Sequence, residues 1–213
     1  MPSIDRLSRW RTLRIALWAL VALGVGAFAY LSFGDKKAMP VTETASAQAN
    51  YARQFGGRFA MTDTTGKAVT DQTLKGKPFA IFFGFTRCPD VCPTTLSRMA
   101  SLRKQLGHDG DKFNIVFVTV DPDHDSQQSL GQYLALFGTP IIGLRGTKAQ
   151  LDAIVKAYRV TYVKVPTSDV DYTIDHTASV YLMGRTGEFV TTIDHAEDPA
   201  TALAKLKRLM TER

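Results

Sequence analysis

Cys88 and Cys92 are the only cysteines among 213 residues, and they sit in Gly84-Phe85-Thr86-Arg87-Cys88-Pro89-Asp90-Val91-Cys92-Pro93. Thiolates at this spacing can exchange disulfides, hold a soft metal or staple a loop. The staple is a weak reading, because closing so short a loop removes little chain entropy, and structural zinc is weaker still. A structural zinc site usually needs four cysteine or histidine ligands at close spacing. The chain offers only four histidines: His108, His124, His176 and His195. His108 falls in Gly-His-Asp-Gly, His124 in Asp121-Pro122-Asp123-His124-Asp125, and His195 in Ile193-Asp194-His195-Ala196. His176 ends Tyr172-Thr173-Ile174-Asp175-His176 and precedes a strand-like stretch.

The elements that must position these groups alternate along the chain. Phe79–Phe83 is continuously apolar, as a strand buried on both faces requires. Pro93–Leu106 has helical spacing, and Pro93 suits a first turn. Because proline disfavours helical geometry in the residue before it, Cys92 is expected in a loop just ahead of that helix. The helix N-terminus and Arg87 are expected to favour the thiolate. An early hairpin is read at Arg58–Met61 and Ala68–Val69 around Asp63-Thr64-Thr65-Gly66. Phe113–Val120 reads as a second buried strand, 127–136 and 148–158 as helices, Ser179–Met183 and Glu188–Ile193 as strands, and Pro199–Met210 as a closing helix. Such alternation indicates an α/β sandwich with a central mixed sheet, in the order of the thioredoxin fold.

In a thioredoxin-like sheet the loop before the Ser179–Met183 strand faces the cysteine loop. Thioredoxin-type oxidoreductases place a cis-proline there, whereas this chain has Asp175-His176 and no proline between Pro166 and Pro199. Two thiolates and an imidazole form a soft set suited to copper or zinc. Asp175 is the neighbouring group expected to orient the imidazole.

Ahead of this domain, Ile15–Phe33 carries no charged side chain, a length about sufficient to cross a bilayer core. Arg6, Arg9, Arg11 and Arg14 precede it, so the N-terminus is expected in the cytoplasm and the rest across the membrane. Ala45-Ser46-Ala47 resembles a signal-peptidase site, but it lies further from the apolar run than signal peptides allow. The expected organisation is a cytoplasmic N-terminus and transmembrane anchor at 1–34, a linker at 35–52 and a folded domain at 53–213. The net charge of +6 is partly that arginine cluster, and no aromatic-interleaved basic stripe supports nucleic-acid binding.

These features together resemble the Sco/SenC family of copper-binding assembly factors for cytochrome c oxidase. The cysteine run, Val120-Asp121-Pro122 with Asp125, and Asp175-His176-Thr177 leading to Tyr181-Leu182 occur in family order. The resemblance implies that Cys88, Cys92 and His176 are ligands for Cu(I) or Cu(II), with Asp121 in a loop near the site. It implies a metallochaperone rather than an enzyme, loaded by an upstream copper donor and serving the binuclear copper centre of oxidase subunit II. The alternative is a periplasmic thiol–disulfide oxidoreductase using Cys88 and Cys92 on subunit II or another partner. A peroxidase is disfavoured, since no Pro-x-x-x-Thr-x-x-Cys run precedes either cysteine. The short arginine-rich N-terminus suits a single-pass protein of a bacterial inner membrane, with its C-terminal domain in the periplasm.

Overall fold

The computed structural model describes residues 4–33, 51, 54–168 and 171–211. Apart from Tyr51, the linker read at 35–52 lies outside the described residues, as does Ala45-Ser46-Ala47. The chain divides into two units, 1–45 and 46–213.

In the first unit a single helix, α1, runs Ile4–Phe33. Its described side chains at positions 13–28 and 30 are exposed. Among the described residues no helix is long and apolar enough to cross a membrane. The side chains at 29 and 31–33, which complete the uncharged run, are not among those described.

The second unit holds a seven-stranded sheet and a separate two-stranded arm. Strands β1 (Ala60–Asp63) and β2 (Ala68–Thr70) form the expected hairpin. Its turn is held by Asp63 Oδ1, which accepts from the backbone N–H groups of Thr65 and Lys67. A one-turn helix α2 (Asp71–Leu74) leads to β3 (Phe79–Gly84), and α3 (Val91–Gln105) to β4 (Asn114–Thr119). Helix α4 (Gln127–Ala135), strand β5 (Ile142–Arg145) and helix α5 (Lys148–Tyr158) follow. The arm is β6 (Tyr162–Pro166) with β7 (Tyr172–His176), after which β8 (Val180–Met183), β9 (Phe189–Ile193) and α6 (Pro199–Thr211) close the fold.

The sheet order is β2-β1-β5-β4-β3-β8-β9. β3, β4 and β5 run parallel, whereas β1, β8 and β9 pair antiparallel with their neighbours. All six residues of β3 are buried, as its unbroken apolar run requires of a central strand covered on both faces. Successive side chains of a strand point to opposite faces. Accordingly Phe82 meets Phe117 and His176, while Phe83 meets Tyr158 of α5. The mixed sheet with helical layers is the thioredoxin-like arrangement expected from the alternation.

Three features differ from the sequence reading. First, α3 begins at Val91 rather than Pro93, so Cys92 lies inside the first helical turn instead of a preceding loop. The first N–H groups of a helix have no intrahelical partner, so Pro93 in that turn removes no hydrogen bond. Second, β5 was not read, because four residues interrupted by Gly143 give too little periodicity. Its strand character comes from pairing with β4 and β1. Third, the segment before β8 is not a plain loop: residues 172–176 form β7, paired only with β6.

Candidate metal centre

Two neighbouring elements deliver the cysteines. The turn after β3 carries Thr86, Arg87 and Cys88, and Asp125 holds that turn in place. Its carboxylate accepts from the Thr86 N–H at 3.1 Å, from the Thr86 hydroxyl at 2.6 Å, and from the Thr119 hydroxyl. With the carboxylate fully buried, three donors are what make its desolvation tolerable. Cys92 then sits on α3 with no exposed surface, while Cys88 is half-buried. Both thiols are free.

The third member comes from the arm. His176 ends β7, and its Nε2 lies 3.3 Å from Cys92 Sγ. Its Nδ1 lies 3.0 Å from the Thr177 carbonyl oxygen. A carbonyl can only accept, so Nδ1–H donates and the Nε2 lone pair is left facing the sulfurs. Phe82 and Phe85 pack edge-on against the ring, each 5.9 Å between centroids. Among the described residues, Cys88, Cys92 and His176 form the one cluster of three metal-type donors, with all ligand atoms within 4.8 Å of one another. An ion held trigonally at about 2.3 Å from sulfur sets its ligands roughly 4 Å apart. The three donors fit one soft ion.

The two thiols are electrostatically unequal. The Cys88 thiol is lowered to about 4, chiefly because Cys92 donates to its sulfur, with backbone N–H groups helping against burial. The Cys92 backbone N–H at the start of α3 is 3.4 Å from Cys88 Sγ. Cys92 is pushed strongly upward as the donor to that thiolate, and by its own burial. The metal-free pair therefore holds one thiolate, on the more accessible sulfur. Cys88 and His176 open onto a cleft of about 350 Å³, walled by Pro89, Asp90, Val91 and Ile174.

The supporting groups differ from those expected. Asp175 is exposed on the cleft that Cys88 and His176 open onto, and the Thr177 carbonyl, not Asp175, takes the ring's Nδ1. Arg87 does not face the sulfurs. Its guanidinium lies 2.8 Å from Asp171 and 3.3 Å from Asp121. Asp121 is fully buried and contacts Arg87, His124 and Tyr172, touching neither cysteine nor His176. His108 lies in a 3-10 turn, and His195 has a buried Nδ1 without a partner; neither joins the cluster. Tyr172 was not singled out from the sequence, because its role depends on the arm folding against Asp121.

Residues 47–211 match the SCO1/SenC family. The chain belongs to this family. It is 34% identical over 207 residues to the mitochondrial protein SCO2 of Saccharomyces cerevisiae, covering 95% of this chain and 67% of that protein. It is 33% identical over 173 residues to SenC of Rhodobacter capsulatus, covering 81% of this chain and 78% of SenC. Against the mouse and human mitochondrial SCO1 homologues, the matched region spans 63% and 46% of their lengths. Among solved structures, Bradyrhizobium japonicum ScoI with copper bound superposes with a TM-score of 0.68 at 48% identity, covering 73% of this chain and 99% of that one. Yeast Sco1 with copper bound gives 0.70 at 33% identity, covering 75% and 90%.

Proposed function

We propose that this SCO1/SenC protein binds one copper ion through Cys88 Sγ, Cys92 Sγ and His176 Nε2, and passes it on during assembly of cytochrome c oxidase. The observation that carries this reading is the convergence of these three atoms within 4.8 Å. Thiolate and imidazole together suit copper(I), and imidazole also accepts copper(II). The copper-bound relatives at 48% and 33% identity support the same assignment. The ion is cargo here: a half-buried thiolate at the mouth of a cleft lets an incoming ligand reach it, whereas a fully enclosed site retains its metal.

In this reading the receiving partner is subunit II of the oxidase, and an upstream donor loads the protein. The family membership and the ligand chemistry support that route. Helix α1 is the anchor, a single span of a bacterial inner membrane with the 53–213 domain in the periplasm. Support comes from the uncharged Ile15–Phe33 run behind four arginines. The anchor predicts that the protein stays in the membrane pellet after carbonate extraction; its release, with an N-terminus near Ala47, would refute it.

The direct test is copper titration of the reduced protein beside Cys88→Ser, Cys92→Ser and His176→Ala. The expected result is one copper per chain and, with Cu(II), an intense thiolate charge-transfer band. Either serine variant should abolish the site, and His176→Ala should weaken it and shift the band. Unchanged affinity and spectrum in His176→Ala would overturn the assignment.

A second reading, thiol–disulfide exchange, is favoured by one observation: the lowered Cys88 thiol beside a buried Cys92. A thiolate of that kind attacks a partner disulfide to form a mixed disulfide, and Cys92 then displaces the partner thiolate. The protein ends as the Cys88–Cys92 disulfide and the partner as a dithiol. Reduction of an oxidised subunit II peptide by the metal-free protein, lost in Cys92→Ser, would establish it.

A further inference from the structure

Among the described residues the arm that carries His176 shows no strand pairing with the seven-stranded sheet, so its seat on the domain depends largely on side chains. Alternation along β7 directs Tyr172, Ile174 and His176 to one face. Ile174 is buried in the core, and His176 meets Cys92. At the other end, roughly 13 Å along the strand from His176, the Tyr172 hydroxyl donates to Asp121 Oδ1 at 2.6 Å and lies 2.8 Å from His124 Nδ1. Asp171, the next residue back, pairs with Arg87 at 2.8 Å, and Lys164 of β6 pairs with Asp123 at 2.9 Å. The Arg87 guanidinium also sits over the Tyr172 ring, 5.3 Å from its centroid.

Both ligand-bearing segments therefore end on one buried carboxylate. Asp121 takes Arg87, the residue immediately before Cys88, and Tyr172, on the strand that ends in His176. Asp121 has no exposed surface, so losing one partner leaves its carboxylate undersatisfied. The outer pairs, Asp171–Arg87 and Lys164–Asp123, are exposed to water and individually weak. The part-buried Tyr172–Asp121 bond is the discriminating contact.

We propose that Tyr172 and Asp121 are positioning residues for the metal centre: by clamping the β6–β7 arm to the segment that leads into Cys88, they set His176 at ligand distance from the two sulfurs. The proposal rests on the copper-binding reading above. Partners that orient metal ligands typically change affinity about 10–100-fold when removed. Removing one hydroxyl, on a residue four positions along the strand from the ligand, belongs near the lower end of that range.

The experiment compares the full-length reduced protein with Tyr172→Phe, Asp121→Asn, the double variant, and His176→Ala as reference. Cu(I) affinity is read by competition with a chromophoric chelator, and the Cu(II) site by its charge-transfer band. In the metal-free protein, hydrogen exchange of the β7 amides and the His176 ring-proton resonances are followed by NMR. Tyr172→Phe should loosen copper about 10-fold, move the band toward that of His176→Ala, and speed β7 exchange. The double variant should be little worse than Asp121→Asn alone, because the two residues share one interaction. A lowered melting temperature with unaltered affinity, band and β7 exchange in Tyr172→Phe would show a merely structural role and overturn the proposal. If Asp121→Asn does not fold, Tyr172→Phe alone decides. If His176→Ala itself leaves copper unchanged, the ligand assignment fails, and the metal-free exchange and ring resonances still decide whether the clamp seats His176.

Discussion

Gly84→Ala should damage the metal centre without touching a ligand. Gly84 ends β3, and its carbonyl accepts the Val120 N–H at 2.8 Å, so the backbone there has little room to withdraw. A Cβ at this position would stand 2.6 Å from Cys92 Sγ and 3.0 and 3.2 Å from two carbons of the Phe117 ring. Ordinary contact begins near 3.4 Å, so from 2.6 Å the sulfur must retreat by at least 0.8 Å unless the strand moves. Cys92 is a short side chain on α3 with no exposed surface, and Phe117 is equally enclosed, so neither has free space to enter. Overpacking of this kind costs about 1–3 kcal/mol. For a domain of this size, that corresponds to a fall in melting temperature of roughly 2–12 °C. Metal–ligand lengths tolerate only about 0.2 Å, so the same displacement should weaken copper binding more than it weakens the fold. The assay is a melting curve of the metal-free protein beside a Cu(I) competition titration, both with wild type alongside. Wild-type stability together with wild-type affinity would show that the sulfur is not held against Gly84 as described.

Alkylation by iodoacetamide of the reduced, metal-free protein should modify Cys88 first and stay fast down to about pH 4, where its thiolate is lost, with Cys92 lagging throughout; peptide mapping that finds Cys92 modified first would contradict the inequality of the two thiols. The Cys88 group titrates near 9 when unfolded and near 4 when folded, so its contribution to stability is complete above the unfolded value and disappears as pH falls through the folded one. Denaturant melts of the reduced protein should therefore show a wild-type advantage over Cys88→Ser that grows from pH 4 to pH 8, and a constant difference would argue against a depressed thiol. Leu206→Ala on α6, where Leu206 has no exposed surface, should cost about 2–5 kcal/mol and leave copper stoichiometry at one, since α6 contributes no ligand. An altered stoichiometry there would mean that the centre depends on global packing rather than on local seats.

The chemistry was more legible than the scaffolding around it. The buried strands read correctly because β3 is a continuous apolar run and β4 holds Ile115–Val118 unbroken, and α5 because its apolar residues keep helical spacing. Strand β5 escaped because Ile142–Arg145 is defined by its neighbours on both sides and has little pattern of its own. The arm escaped for a related reason. β6 is mostly exposed, and β7, although Tyr172, Ile174 and His176 alternate with polar residues, is five residues long with only Ile174 fully buried, too short a signal to mark a strand. Helix α3 starts two residues before Pro93 because the unpartnered N–H groups of a first turn let proline sit there at no hydrogen-bond cost, which outweighs its effect on the preceding residue.

Composition and spacing determined the donor types in this protein: two thiols on one strand–helix junction and an imidazole where an oxidoreductase keeps proline. They also determined that the order of elements is thioredoxin-like, since hydrophobic periodicity is written locally along the chain. Tertiary structure decided that His176 Nε2 meets Cys92 Sγ across the fold, while the neighbouring Thr177 carbonyl takes Nδ1. It also decided that Arg87 serves Asp121 rather than Cys88, and that Asp175 faces solvent. The meeting of His176 with Cys92, and of Arg87 with Asp121 and Asp171, joins residues 34 to 84 positions apart. Residue type and near-neighbour spacing carry no record of which distant group a side chain will meet, so the donors can be read from the chain and their orientation cannot.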